Sequence, residues 1–419
     1  MRVLLGPSHE LHSGIHGALT DRPAEGIEYI DGRYTHFFRY QPSSQRPFSP
    51  VRDHSESEWI RFENAQDVDL IHSARFPVET ALPWVVDADC LLLPLQIGAF
   101  FAMGLSRGAS APEPGTVFRR EAAMLARYAD GGCCRILLRT ERARRQFLLQ
   151  ISEHPELGGN IADALARKTE VVYPAVAAST RPGPRQSRPS IMFMGRTFVD
   201  KGGVVALAVF QRLREHLGSA FDATIVSSCP PDVTDRCKAL HIDIQPPSDR
   251  RRYLERLANA DIFFSPTLFE SFGMGLVEAA AANTAIVTSS GPGMEHIDEL
   301  FEDGQDAFLV SNALAPEARI RAYADALTTL ITDGEVRHRL AANALALAST
   351  GILSLSRHNQ TIERIYDNAV HVPLTRNEAT ARPKERCDDG RLRILGWSEQ
   401  TCHWTRQRLI PPGGLRICL

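Results

Sequence analysis

The sequence has no apolar run long enough to cross a bilayer, which takes about 20 residues. The longest apolar stretch, residues 90–104, is interrupted by Pro94 and Gln96. The apolar start, Met1 to Pro7, is too brief for a signal peptide and predicts a first buried strand instead. We therefore expect a soluble, cytoplasmic protein.

Patterned cysteines and an excess of charge are also lacking. The eight cysteines form no CxxC pair, which argues against a metal-ligand pattern or a disulfide framework and favours buried apolar thiols. A formal net charge of −3 gives no overall argument for a nucleic-acid partner. The length of 419 residues suits two domains rather than one core.

Short apolar runs alternate with helical patterns over about the first 370 residues, as is typical of βαβ units around parallel sheets. We therefore predict an α/β fold. A Pro-, Gly- and Ser-rich stretch in the middle of the chain predicts a linker. The expected divisions are a domain over 1–177, the linker 178–190, a second domain over 191–350, a helix at 351–370 and a tail, 371–419, with no assigned structure.

The segment from Asp261 to Ala282 carries the first chemical motif, in which seven residues separate Glu270 from Glu278. It predicts a buried strand, a loop with Glu270, and a helix that contains Glu278. The free N–H groups at a helix start favour phosphate, and carboxylates accept hydrogen bonds from sugar hydroxyls. Alternatively, Glu270 is a first-turn residue favoured by the helix dipole, and Glu278 is an ordinary exposed helix position.

A second motif places Arg196 and Lys201 around a loop that opens a helix after a predicted strand ending near Gly195. Two cations at a helix start are unfavourable for the helix unless an anion offsets them. A departing diphosphate would do so, and the cations would then provide the charge stabilisation that Mg²⁺ gives elsewhere. Alternatively, both are solvated surface cations.

Together these motifs resemble those of glycosyltransferase family 4, the retaining enzymes within the group 1 glycosyltransferases. Gly195-Arg196 with Lys201-Gly202 is similar to the diphosphate-binding loop of that family, and Glu270 with Glu278 is similar to its paired glutamates. The resemblance is strong over residues 191–310 and weak over the N-terminal half. It implies the GT-B architecture: two facing, doubly wound Rossmann-like domains, a donor cleft between them, and a helix at 351–370 that returns to the N-terminal domain.

The resemblance also implies the roles of the site residues. Arg196, Lys201 and Glu270 would be catalytic, with Glu270 at the donor sugar and Glu278 at the ribose. The implied partners are a UDP- or GDP-hexose donor and an acceptor that is a glycan, a lipid head group or a small natural product. No metal and no cofactor are implied. The other donor-binding candidates are Gly195, Ser271, Phe272, Gly273 and Leu276.

The N-terminal half departs from the family pattern. Gly14 stands where the family has a Gly-rich loop, and Asp89 stands where the family tends to place a histidine. His72 is a further acceptor-side candidate, or else a satisfied histidine at a strand end. The loop with His9, His12 and His16 has no assigned role, and polar loop residues are a better interpretation of it than zinc ligands.

Two other functions fit the same architecture. One is a nucleotide-sugar epimerase, and the other is a non-catalytic protein that binds a nucleotide sugar. The sequence identifies neither the donor sugar nor its base, and it defines no oligomeric state. Peripheral contact with a membrane stays open, although no basic amphipathic helix supports it.

Overall fold

The structure is a computed structural model that divides into two compact units. One unit comprises Met1–His12, Leu19–Val172 and Gln360–Leu419, and the other comprises Ser13–Ala18 and Tyr173–Asn359. The structure describes residues 1–8, 11–39, 57–74, 76–88, 125–152, 154–178, 188–270, 272–372 and 391–394. Residues 34–39, 57–59, 156, 196 and 391–394 are described by their main chain alone.

The first unit contains a six-stranded parallel sheet and a three-stranded antiparallel sheet. Apart from one strand near the end of the chain, described below, their strands in chain order are β1 (Arg2–Gly6), β2 (Glu28–Asp31), β3 (Tyr34–Arg39), β4 (Ser57–Phe62), β5 (Leu70–Ala74), β6 (Trp84–Asp87), β7 (Cys133–Leu138) and β8 (Thr169–Val171). The parallel sheet has the order β2-β1-β5-β6-β7-β8, so the direction of winding reverses between β1 and β5.

The described helices of this half are α1 (Gly17–Thr20), α2 (Glu141–Ser152) and α3 (Gly159–Lys168). Residues 125–129 are also helical. Thr140 caps the start of α2, because its hydroxyl accepts a hydrogen bond from the Ala143 N–H at 3.0 Å.

The second unit contains another six-stranded parallel sheet. Its strands are β9 (Ser190–Thr197), β10 (Asp222–Ser228), β11 (Asp243–Gln245), β12 (Ile262–Ser265), β13 (Ala285–Ser290) and β14 (Phe308–Ser311). The order is β11-β10-β9-β12-β13-β14, and every pair is parallel. The winding therefore reverses between β9 and β12, and ligands of such sheets bind beyond the carboxyl ends of the strands at that point.

Helices connect these strands, as a parallel sheet requires. The connecting helices are α4 (Gly203–Leu217), α5 (Pro231–Ala239), α6 (Arg250–Asn259), α7 (Met274–Ala281) and α8 (Ile297–Leu300). Three more helices follow β14, namely α9 (Pro316–Thr332), α10 (Gly334–Ser349) and α11 (Leu355–Val370). No helix of the described residues is both long and apolar enough to span a membrane.

Both faces of the second sheet are covered. Phe193 and Phe264 point into one core, with α4 and α9, while Met192 and Phe263 point into another, with α6 and α7. Successive residues of a strand point to opposite faces, so a strand buried on both sides has a continuous apolar sequence. This is why the apolar runs at 191–194 and 262–264 identify central strands.

The predicted α/β fold with two doubly wound domains is confirmed by the two parallel sheets and their helices. The helix α11 spans the division of the chain: from Gln360 onward it belongs to the first unit, where Ile362 and Ile365 pack in a core with β1. The tail contributes a strand, β15 (Arg391–Ile394), that pairs antiparallel with β3, which the sequence did not indicate.

Candidate active site

The loop after β9 is folded tightly against its own strand. A side chain at Gly195 would place Cβ 2.5 Å from the Lys201 Cβ, so glycine is what allows the Lys201 stem to lie there. Gly202 has a φ of +79°, and a Cβ at this position would lie 2.1 Å from the carbonyl oxygen of Pro266. Gly202 thus brings the loop after β9 into contact with the loop after β12.

The loop after β12 carries Glu270, and contacts with neighbouring residues fix its conformation. Thr267 is almost fully buried, and its hydroxyl donates to the Phe269 carbonyl oxygen at 3.1 Å. The Thr267 carbonyl oxygen in turn accepts a hydrogen bond from the Ser289 hydroxyl. Gly293 lets another turn approach, because a Cβ there would lie 2.5 Å from the carbonyl oxygen of Leu268. These contacts place Glu270 at the carboxyl end of the sheet.

Lys201 and Glu270 meet at the point where the strand order reverses. The Lys201 Nζ donates to Glu270 Oε2 at 2.5 Å, and the two side chains are partly exposed. The anion that the sequence required beside Lys201 is therefore the Glu270 carboxylate in this structure. The pair joins the two predicted motifs across 69 residues of sequence.

The start of α7 lies directly after Glu270. Gly273 caps the helix in the left-handed conformation, with a φ of +86°. The side chains of Phe272 and Leu276 are buried in the core, and the Leu276 N–H donates to the Gly273 carbonyl oxygen at 2.9 Å. Both side chains therefore anchor α7 in the core. The N–H groups of its first turn are the groups that this segment presents to an anion. At Gly275, in the first turn of α7, a Cβ would lie 3.2 Å from the Phe263 ring, so glycine allows the helix to pack closely against β12.

Glu278 is buried, so the alternative of an ordinary exposed helix position is wrong. Its Oε1 accepts a hydrogen bond from Nη1 of Arg250, the first residue of α6. Burial raises the pKa of Glu278, while the Arg250 guanidinium and the Tyr253 hydroxyl act in the opposite direction. Sequence reasoning missed Arg250 because it stands in a run of three arginines that reads as a solvated surface.

Several predicted residues fall outside the described part of the chain. Asp89, Ser271 and His9 lie outside the described residues. Arg196 is the penultimate residue of β9, and its side chain lies outside the described part.

In the first unit, His72 lies in a buried polar cluster on β5. Its Nδ1 is 2.5 Å from the Tyr366 hydroxyl, and its Nε2 is 3.1 Å from Asp87 Oδ2. Arg139 Nη2 lies 3.1 Å from the same carboxylate oxygen, and all four side chains are buried. This arrangement favours the interpretation of His72 as a satisfied histidine.

The loop after β1 contains the candidates Gly14, His12 and His16. Gly14 is buried in the segment Ser13–Ala18, which groups with the second unit. His16 is buried as well, whereas His12 is partly exposed. Within the described residues, neither histidine joins a set of three His, Cys, Asp or Glu side chains that could hold a metal ion.

Comparison with known families matches the segment that carries the site. Residues 188–333 match the family model described as "Glycosyl transferases group 1". D-inositol 3-phosphate glycosyltransferase of Xylanimonas cellulosilytica is 28% identical over 169 residues, which cover 38% of this chain and 37% of that protein. Alpha-maltose-1-phosphate synthase of Mycobacterium tuberculosis is 27% identical over 218 residues, or 47% of this chain and 54% of that protein.

Comparison of folds extends over more of the chain. The crystal structure of HepE from Anabaena, in complex with UDP, aligns with a TM-score of 0.53 at 16% identity and covers 88% of this chain and 100% of that one. The fold is thus that of the GT-B proteins. The match of residues 188–333 to the group 1 glycosyltransferase model confirms the resemblance to group 1 glycosyltransferases in this segment. The matched regions span about a third to a half of the two curated relatives.

Proposed function

We propose that the chain is a retaining, family 4 glycosyltransferase that moves a hexosyl group from a UDP- or GDP-sugar to an acceptor. The observation that carries the proposal is the Lys201–Glu270 ion pair, which lies at the strand-order reversal within the segment that matches the group 1 family. A cation and a carboxylate at this position are suited to a donor that combines a diphosphate with a hexose.

The diphosphate is the charged part of the donor. Lys201 lies directly before the N-terminus of α4, and the N-terminus of α7 follows the Glu270 loop. Helix N-termini and a lysine ammonium both favour phosphate oxygens. We assign Arg196, on the same strand as Gly195, to the diphosphate too. In this account the protein's cations replace a metal, and neither a metal nor a cofactor takes part.

Each of the two carboxylates binds a different part of the donor beyond the diphosphate. Glu270 binds the sugar, since the loop after β12 places it beside Lys201, the cation that we assign to the diphosphate. Glu278 binds the ribose hydroxyls further along α7. A carboxylate accepts hydrogen bonds from hydroxyl groups and thereby fixes the orientation of the sugar.

The reaction that we propose proceeds on one face of the sugar. The bond between the anomeric carbon and the diphosphate oxygen breaks, and the acceptor oxygen bonds to the same face of that carbon. The departing diphosphate oxygen takes the acceptor proton, so the products are the glycosylated acceptor and a nucleoside diphosphate. Lys201 and Arg196 stabilise the negative charge that grows on the diphosphate.

The acceptor is the open part of the proposal. A glycan, a lipid head group and a small natural product each supply a hydroxyl for this reaction. HepE was crystallised with UDP, which supports a uridine nucleotide as the first donor class to test.

A donor panel tests the function. The full chain is incubated with UDP- and GDP-hexoses in EDTA, with and without acceptors, and nucleoside diphosphate release is measured. A transferase releases nucleoside diphosphate faster when its acceptor is present. An epimerase interconverts the sugars without releasing nucleotide, and a binding protein retains the donor unchanged. Either of the last two results would contradict the proposal.

A further inference from the structure

We propose that Arg250 is a positioning residue for the donor, which acts by orienting the Glu278 carboxylate toward the ribose. This inference rests on the proposed function, because it concerns the same donor. The residue lies outside both sequence motifs, on a helix that contributes none of the predicted site residues.

A buried ion pair links α6 to α7. Arg250 Nη1 donates to Glu278 Oε1, and the Glu278 side chain is only 3% exposed whereas that of Arg250 is 29% exposed. Tyr253, one turn along the same helix, is also buried and acts on the same carboxyl group. The guanidinium therefore covers the carboxylate and has further N–H groups to offer.

The neighbouring arginines show that this contact is specific. Arg251 pairs with Glu255 at 3.4 Å, and its side chain is 80% exposed. Arg252 pairs with Asp249 at 3.7 Å, again between exposed side chains. A cation at the first position of a helix is disfavoured by the helix dipole, and Glu278 offsets that cost for Arg250.

The charge state of Glu278 follows from the same contact. Burial favours the neutral acid and raises the pKa, whereas the two ionisable groups that act on it, Arg250 and Tyr253 of α6, lower it. Without Arg250 the acid form would persist to higher pH. A protonated carboxyl accepts fewer hydrogen bonds from the ribose hydroxyls than a carboxylate does.

The test is nucleotide binding to the full chain. UDP and GDP are titrated into wild type, Arg250→Ala and Arg250→Lys, and the nucleotide that binds wild type is used further. At about pH 6.5 we expect Arg250→Ala to weaken binding by on the order of tenfold, since one charge-assisted contact is lost. The affinity of Arg250→Lys should lie between those of wild type and Arg250→Ala, because lysine keeps the positive charge but lacks the planar set of guanidinium N–H donors.

Three further measurements separate positioning from a structural role. The affinity ratio of wild type to Arg250→Ala should shrink as the pH is raised, because a higher pH ionises Glu278 even without its partner. The 2′,3′-dideoxy nucleotide should bind both proteins equally. In a Glu278→Gln background, Arg250→Ala should have little further effect.

The control is Arg251→Ala, which removes an exposed neighbour and should bind nucleotide like wild type. If wild type binds UDP or GDP and Arg250→Ala, folded by circular dichroism, binds equally well at every pH, the inference is overturned and the proposed function stands. If Arg250→Ala does not fold, Arg250→Lys carries the test, and a pH-independent affinity ratio of one overturns the inference. If wild type binds neither nucleotide, the proposed function fails and takes the inference with it.

Discussion

Lys201 Nζ lies 2.5 Å from Glu270 Oε2, and this contact joins the loops that follow β9 and β12. The two strands are neighbours in the sheet. In the sequence, however, Ser265 at the end of β12 lies 64 positions after Lys201, which is in the loop after β9. The contact assembles a cation and a carboxylate at the edge where a doubly wound sheet binds its ligand.

Removing the cation should slow turnover more than it weakens donor binding. Lys201→Ala should lower kcat by about a hundredfold, because charge on the diphosphate grows in the transition state. Lys238→Ala is the matched control, since its ammonium lies on α5 and pairs with an exposed aspartate. Steady-state kinetics with the active donor measure both variants.

A double-mutant cycle shows whether Lys201 and Glu270 act as a unit. Glu270→Gln should lower kcat in the wild-type background and change it less in the Lys201→Ala background. A Lys201→Ala variant that folds normally and keeps its wild-type kcat would show that the pair is structural.

Gly202→Ala should destabilise the second unit more than Gly304→Ala does. Both glycines have a positive φ, +79° and +74°, which disfavours an L-residue. At Gly202 the added methyl also meets the Pro266 carbonyl at 2.1 Å, whereas at Gly304 no atom lies within 4 Å. We expect a further cost of roughly 1–3 kcal/mol at Gly202, measured by urea unfolding. Equal costs at the two positions would contradict the close approach of the loops.

The burial of Glu278 predicts a pH-dependent change in stability. Its pKa is raised above the ordinary value of 4.5, so the folded state binds the proton more tightly than the unfolded state. The contribution of Glu278 to stability is therefore greatest below that value and declines as the pH rises toward the folded pKa. Since glutamine does not titrate, the Tm of Glu278→Gln minus that of wild type should increase as the pH rises above about 4.5. A difference that is constant or decreases would refute the buried acid.

The polar cluster of the first unit should be important for stability. Asp87→Ala would leave the Arg139 guanidinium buried without its carboxylate, at a cost of about 3–5 kcal/mol in the free energy of unfolding. Glu79→Ala, which breaks a partly exposed pair with Arg61, should cost about 1 kcal/mol or less. Chemical unfolding compares the two variants. A similar small loss in both would show that the cluster contributes little.

The sequence predicts most central strands and long helices because these are continuous apolar runs or strongly periodic patterns. The strand predicted to end near Gly195 is β9, and the helix predicted to follow the loop of Arg196 and Lys201 is α4. Short or polar elements were missed, among them β2, β11 and α5, because their patterns are too brief to stand out. The antiparallel pairing of β3 with β15 joins segments more than 350 positions apart, and no local pattern carries that information.

The two motifs of the site were identifiable from sequence, but their partners were not. Lys201 and Glu270 were predicted as separate ligands of one donor, and the structure pairs them directly. Arg250 and Tyr366 are partners of Glu278 and His72 through tertiary packing, across 28 and 294 residues of sequence. Such contacts depend on the order of strands in a sheet, which a single sequence does not reveal.

The central claim is tested most directly by the stereochemistry of transfer. The wild-type chain is incubated in EDTA with the UDP- or GDP-hexose that it consumes and an acceptor, and NMR assigns the anomeric configuration of the first product. Our account predicts nucleoside diphosphate release together with a product that keeps the anomeric configuration of the donor. An inverted product, or turnover that requires added Mg²⁺ or Mn²⁺, would contradict it.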